Sequence, residues 1–176
     1  MTRLASTRLA ALALALALGA GCGYHVSGHG DLMPKTVKTI AVMPFNNLSV
    51  YYQLARTLPA DIGHEFISRT KYTIVADANQ ADAVLIGTLT NFSYYPTIFD
   101  PVSGRATTVQ VIASVKVTLT NRATGAVIFN RPGYEFRERY EISIDPKAYF
   151  DESGPAMQRI SRDASRSIVS AILEAF

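Results

Sequence analysis

Residues 107–122, TTVQVIASVKVTLTNR, alternate apolar and polar side chains for longer than any other part of the chain. Val109, Val111, Ala113, Val115, Val117 and Leu119 fall on one side. Thr108, Gln110, Ser114, Lys116, Thr118 and Thr120 fall on the other, with Ile112 the exception. Side chains of a strand point alternately to its two faces, so this stretch must be a long strand with one buried and one polar face. That pattern suits an antiparallel sheet with helices on one side only.

The neighbours extend the sheet. Residues 83–95 read as a long strand, and 96–106, PTIFDPVSGRA, carry the Pro, Asp-Pro and Ser-Gly signals of an exposed hairpin loop. After a turn at 121–126, Val127 and Phe129 place apolar residues on odd positions. Beyond Pro132-Gly133 the apolar set moves to even positions, Tyr134, Phe136, Tyr140 and Ile142. A one-residue shift exchanges faces, so a bulge is expected at Pro132-Gly133, with Glu135, Arg137, Arg139 and Glu141 turned outward.

Two segments change period. Leu54, Leu58, Ile62 and Phe66 recur every four residues, one stripe of a helix over 51–69. Pro59 inside that stripe implies either a kink or a start near Thr57. Met157, Ile160, Ala164, Ile168, Ala171 and Ile172 form the stripe of a last helix, opened by 145–155 and reaching Phe176. TIAVMPF (39–45) does not alternate and suits a strand buried on both faces or centrally placed. KYTIVAD (71–77) is a short strand. The order is strand, helix, strand, three-strand meander, helix. It predicts an α+β fold, a two-layer sandwich with two helices on one face of a mostly antiparallel sheet of four to five strands.

The start of the chain has another purpose. Arg3 and Arg8 precede ten apolar residues, Leu9 to Leu18, and then Gly19-Ala20-Gly21. That is the layout of a secretory signal peptide, and the run is about half the roughly 20 residues a membrane span needs. Cys22 follows at once and is the only cysteine. Exported proteins usually pair their cysteines, and this one has no partner within the chain. Its position resembles the lipid-modified cysteine of a bacterial lipoprotein, although Gly19 stands three places before it, where Leu is usual. The expected organisation is a signal peptide over 1–21, a lipidated tether over 22–38 and one domain over 39–176. Several acyl chains on one residue would hold that domain at a membrane. Gly23, rather than the Asp that retains enteric lipoproteins in the inner membrane, favours the periplasmic face of the outer membrane.

The 176 residues carry 17 basic and 14 acidic side chains. Without Arg3 and Arg8 the balance is almost neutral, so no nucleic-acid partner is expected. His25, His29 and His64 are dispersed, and with a single cysteine they give no metal-ligand spacing. Asp151-Glu152 sit where a helix begins, a place that favours carboxylates. No catalytic constellation, metal or cofactor is expected. Arg105, Arg122, Arg131, Arg137 and Arg139 fall in loops or on polar strand faces. They either grip phosphate with a bidentate fork or form a solvated, partly paired surface. Tyr94, Tyr95 and Phe99 border the 96–106 loop and either meet a protein partner or lie under a helix.

Taken together, CGYHVSG, LMPKTVKTIAVMPFNNLS, EFISRTKYTIVADANQADAVLIGTLTNFSYYP, VKVTLTNRATGAVIF and AYFDESGPAMQRISRDASRSIVSAILEAF resemble the LPS-assembly lipoprotein family, LptE. The likeness runs from Cys22 to Phe176. It implies a non-catalytic protein that plugs and helps assemble a large outer-membrane β-barrel, LptD, and contacts lipopolysaccharide during its delivery to the cell surface. It implies lipid attachment at Cys22 and a two-layer α/β sandwich. Arg105 and Arg122 are the candidate lipopolysaccharide contacts by location, and Tyr94, Tyr95 and Phe99 the candidate partner contacts. The first half of the chain also resembles CsgG-type secretion lipoproteins and the amino-terminal domain of TolB. The alternative is therefore a self-assembling secretion or pore lipoprotein.

Overall fold

The computed structural model describes residues 33–34, 36–142 and 152–175. The leader, Cys22, His25, His29, Asp151 and the opening of the last helix before residue 152 lie outside the described residues. The chain runs β1 (Thr39–Val42), β2 (Asn46–Asn47), α1 (Tyr52–Arg69), β3 (Thr73–Val75), a single 3₁₀ turn (Ala78–Gln80), β4 (Ala83–Phe99), β5 (Ala106–Asn121), β6 (Val127–Glu141) and α2 (Ser153–Glu174). The sheet order is β3-β1-β4-β5-β6, with β2 beside β4.

The sandwich of two helices on one sheet is as expected, but the sheet has six strands and is mixed. β4, β5 and β6 are antiparallel, as the meander predicts. β1 pairs in parallel with both β3 and β4, and β2 pairs in parallel with β4. Parallel neighbours need a crossover, and α1 supplies the one between β1 and β3. β2 was not expected. Its two residues are held through backbone contact with Thr88 and Leu89, extended by the Leu48 N–H donating to the Leu89 carbonyl at 2.9 Å. Ile40 and Ala41 of β1 are both fully buried, as a central strand requires.

β5 buries its six odd residues from Val109 to Leu119 and leaves Lys116 exposed. The bulge at Pro132-Gly133 is present: Val115 faces Tyr134 and Val117 faces Arg131, so two residues of β6 oppose Lys116 alone. Val127 differs from its odd-numbered partner Phe129. A second register shift pairs Leu119 with Phe129 but Thr120 with Val127, which exposes Val127 and leaves Phe129 buried. The 96–106 loop is also shorter than expected. β4 continues to Phe99 and pairs Pro96 with Val109, leaving a turn from Asp100 to Arg105. Proline is tolerated there because, among the described residues, β4 beyond Leu89 has β5 on one side only.

α1 begins at Tyr52, not near Thr57, and runs through Pro59. Leu54, Leu58, Ile62 and Phe66 are each at most 1% exposed, so packing of the stripe outweighs the missing N–H. α2 buries Met157, Ile160, Ala164, Ile168 and Ile172 on the same core. The start of α1 meets the middle of β4, where Tyr51 stacks on Phe92 with centroids 4.4 Å apart. The start of α2 meets the end of β6, where the Glu141 N–H donates to Glu152 Oε2 at 3.3 Å. Both helices therefore run in the same direction, away from the β4–β5 turn. Their mutual packing includes a hydrogen bond from Ser161 to the Asp61 carboxylate and one from Arg69 to Ser170 Oγ at 2.8 Å. Met33 and Val37, within the stretch expected to be a tether, are buried in the same core, so the packed domain starts before residue 39.

Candidate interaction surface

The sandwich has two ends. One, the base, gathers the starts of β1 and β4, the end of β5 and the ends of both helices. The other, the tip, is the β4–β5 turn. β5 alone places them roughly 50 Å apart at 3.3 Å per residue.

Tyr94, Tyr95 and Phe99 lie toward the tip and are 66%, 52% and 55% exposed. Tyr94 stands opposite Val111, a core-facing residue, and Tyr95 opposite Gln110 on the reverse face. The two tyrosines thus project from opposite faces of the same ribbon. Among the described residues no helix covers Tyr94: α1 begins only at the level of Phe92, and α2, which begins nearer the tip, leaves Tyr94 66% exposed. Among the described residues, none of the three lies under a helix. Ile98 and Val102 enlarge the patch and are also exposed; only the aromatic members stood out in the sequence. Leu48 and Val50, in the β2–α1 connection, and Tyr52, the first residue of α1, are exposed as well and carried no sequence signal beyond hydrophobicity.

The tip turn is built by Asp100. Its Oδ1 accepts from the Ser103 N–H at 2.6 Å, from Ser103 Oγ at 2.7 Å and from the Val102 N–H at 3.2 Å. The Ser103 hydroxyl, followed by these N–H groups, holds the Asp100 carboxyl below its ordinary value. Gly104 closes the turn at φ +67°, a left-handed conformation suited to glycine. Arg105 follows with its side chain exposed, and its carbonyl accepts from the Asp100 N–H at 2.8 Å.

Arg122 is at the base, so the structure does not bring the two candidate arginines together. Its Nε donates to the Ala81 carbonyl at 2.7 Å, and its N–H donates to the Asp82 carbonyl at 2.8 Å. Asp82 in turn clamps β1. Its Oδ2 accepts from the Lys38 and Thr39 N–H groups at 2.8 and 3.0 Å. Those backbone bonds, with a smaller contribution from Arg122, hold the Asp82 carboxyl below its ordinary value.

The outward residues of β6 form a charged stripe with one ion pair of its own. Arg137 pairs with Glu135 on the same strand. Arg159 of α2 reaches Glu138 at 2.5 Å. Arg131 lies over the Tyr134 ring at 5.1 Å, and burial pushes the Tyr134 hydroxyl's pKa up. His64 is exposed on α1. Among the described residues no group of three His, Cys, Asp or Glu side chains is placed to hold a metal ion, and no helix is long and apolar enough to cross a membrane.

Comparison with curated proteins gives no match. Among solved structures, the chain is similar to uncharacterized lipoprotein B from Nitrosomonas europaea, at 16% identity and a TM-score of 0.58, covering 88% of this chain and 94% of that one. It is also similar to a PelC dodecamer from Paraburkholderia phytofirmans, at 14% identity and a TM-score of 0.51, covering 78% and 88%. At these identities the likeness is one of fold. The family model for LptE, described as lipopolysaccharide-assembly, matches residues 37–172, from the first packed turn to the last core residue of α2. This chain belongs to the LptE lipopolysaccharide-assembly family.

Proposed function

We propose that the chain is an outer-membrane lipoprotein, acylated on Cys22, that plugs and helps assemble an LptD-type β-barrel and assists delivery of lipopolysaccharide to the cell surface. Its part is to fit another protein rather than to transform a substrate. The observation that carries this reading is the ribbon near the tip, where Tyr94 and Tyr95 stand exposed on opposite faces. A surface that docks on one side needs one apolar face. A plug surrounded by a barrel wall needs two. Each aromatic side chain offers about 150–250 Å² for burial. Arg105, exposed beside this patch, is the candidate phosphate contact in this reading, whereas Arg122 donates to the Ala81 carbonyl at the base.

Affinity purification of the chain from native membranes tests the proposal. Recovery of a large β-barrel with it supports the reading. Recovery of a homo-oligomer of defined size that conducts in a planar bilayer, with no barrel partner, overturns it in favour of a secretion pore. In-vivo photo-crosslinking from residues 96–106 then shows whether barrel wall or glycolipid lies beside the tip.

A further inference from the structure

A cleft of about 720 Å³ opens at the base, between the turn at residues 33–37 and the ends of α1 and α2. Its floor includes Met33, Val37 and Leu173, and Lys38, Arg69 and Lys71 stand on its rim. Met33 and Val37 are 4% exposed, so the floor is preformed. Arg69 is held in place by Glu65 at 3.3 Å and by Ser170. Lys38 and Lys71 are exposed, and among the described residues neither enters an ion pair. The nearby Asp82 carboxylate is turned onto the backbone N–H groups of Lys38 and Thr39. The base therefore combines an apolar floor with a cationic rim.

The chain itself indicates what this end faces. Met33 lies in the wall of the cleft, and only residues 23–32 separate it from Cys22 in the sequence. Eleven residue steps reach at most about 40 Å. The tip lies farther from the base than that, so the base is the end that a lipid on Cys22 holds near the bilayer.

We infer that the base cleft docks on the headgroup layer of the anchoring membrane, with Lys38, Lys71 and Arg69 taking the phosphate of an anionic glycerophospholipid. The inference rests on the proposed acylation of Cys22 only for its orientation; the cleft's affinity belongs to the folded domain.

The experiment uses the mature chain with Cys22→Ser, so that acyl insertion contributes nothing, and measures co-sedimentation with vesicles. The expected result is binding to phosphatidylglycerol–phosphatidylcholine vesicles, little to phosphatidylcholine alone, and weakening with added salt. Lys38→Gln and Lys71→Gln are each expected to lower binding about fivefold. Lys116→Gln, the same charge change at an exposed position on β5, is expected to leave it unchanged. Equal binding to both vesicle types overturns the inference, as does an equal loss with Lys116→Gln. It is also overturned if the Lys38 and Lys71 variants lose binding to purified lipopolysaccharide and keep it to phosphatidylglycerol, since the cleft would then be a glycolipid site. Intact mass of the native mature protein tests acylation separately: an unmodified Cys22 removes the anchor without altering the vesicle result.

Discussion

The ring of Phe45 packs directly on Gly87, filling the position a side chain at residue 87 would take. Gly87 sits in β4 between Leu85 and Leu89, both fully buried. Its lack of a Cβ lets the residue that follows Pro44 fold back over the sheet. Gly87→Ala is therefore expected to displace Phe45 and to destabilise the domain by about 1–3 kcal/mol. Urea denaturation measures this. An unchanged midpoint would show that Phe45 can move at no cost.

The two candidate arginines are expected to separate experimentally. Arg122→Ala removes the bond from Nε to the Ala81 carbonyl and should cost about 1 kcal/mol of stability. Arg105→Ala should leave stability within about 0.5 kcal/mol, because its side chain is exposed at the turn. If Arg105 meets lipopolysaccharide, its loss lowers glycolipid binding in a protein of normal stability. Thermal melts and a binding assay on both variants check the pair.

Asp82 makes the base sensitive to acid. Its carboxyl is held below 3.8 by the Lys38 and Thr39 N–H groups. A lowered value in the folded state means that the charged form stabilises the fold above the unfolded value and that this contribution fades as pH falls through the folded one. Asp82→Asn should lower stability at neutral pH and flatten the acid limb of the stability profile. Denaturation midpoints of both proteins from neutral pH down to below 3.8 read this out.

The tip aromatics are expected to matter for partnership and not for folding. Tyr94→Ser and Phe99→Ser change exposed residues, so the melting temperature should stay close to that of the parent. Buried aromatic anchors at an interface are commonly worth about 2 kcal/mol or more, so retention of the barrel partner should fall tenfold or further. Co-purification with the parent as reference measures it. Full retention by both variants would move the interface elsewhere on the ribbon.

Much of the sheet is legible because strand periodicity is local. Val109 to Leu119 announce a one-sided strand, and the shift from Phe129 to Tyr134 across Pro132-Gly133 announces the bulge that the register shows. The stripes of α1 and α2 are legible for the same reason. β2 is not, because two asparagines have no period and pair only where β4 offers its edge. The length of β4 is obscured because Pro96 signals a turn where an unpaired edge tolerates it. The exposure of Val127 depends on a register shift set by its partner strand.

For the interaction surface, residue type was informative and position was not. Tyr94, Tyr95 and Phe99 could be singled out as aromatics beside a loop, but only the packed fold shows that they stand exposed. Arg105 and Arg122 look alike as loop arginines. One ends a turn at the tip, and the other ties β5 to the strand start at Ala81-Asp82. The basic rim of the base cleft joins Lys38 to Arg69 and Lys71 across β1, β2 and α1, a separation that no spacing rule spans.

By itself the amino-acid order determined the two helices, the long meander, its bulge and the family, because periodicity, turn chemistry and motif order act over a few residues at a time. Tertiary structure alone decided the parallel half of the sheet, the common direction of the helices, and which aromatics and cations share an end. Those follow from where strand edges and helix ends meet in space, and that depends on packing between residues far apart in the chain.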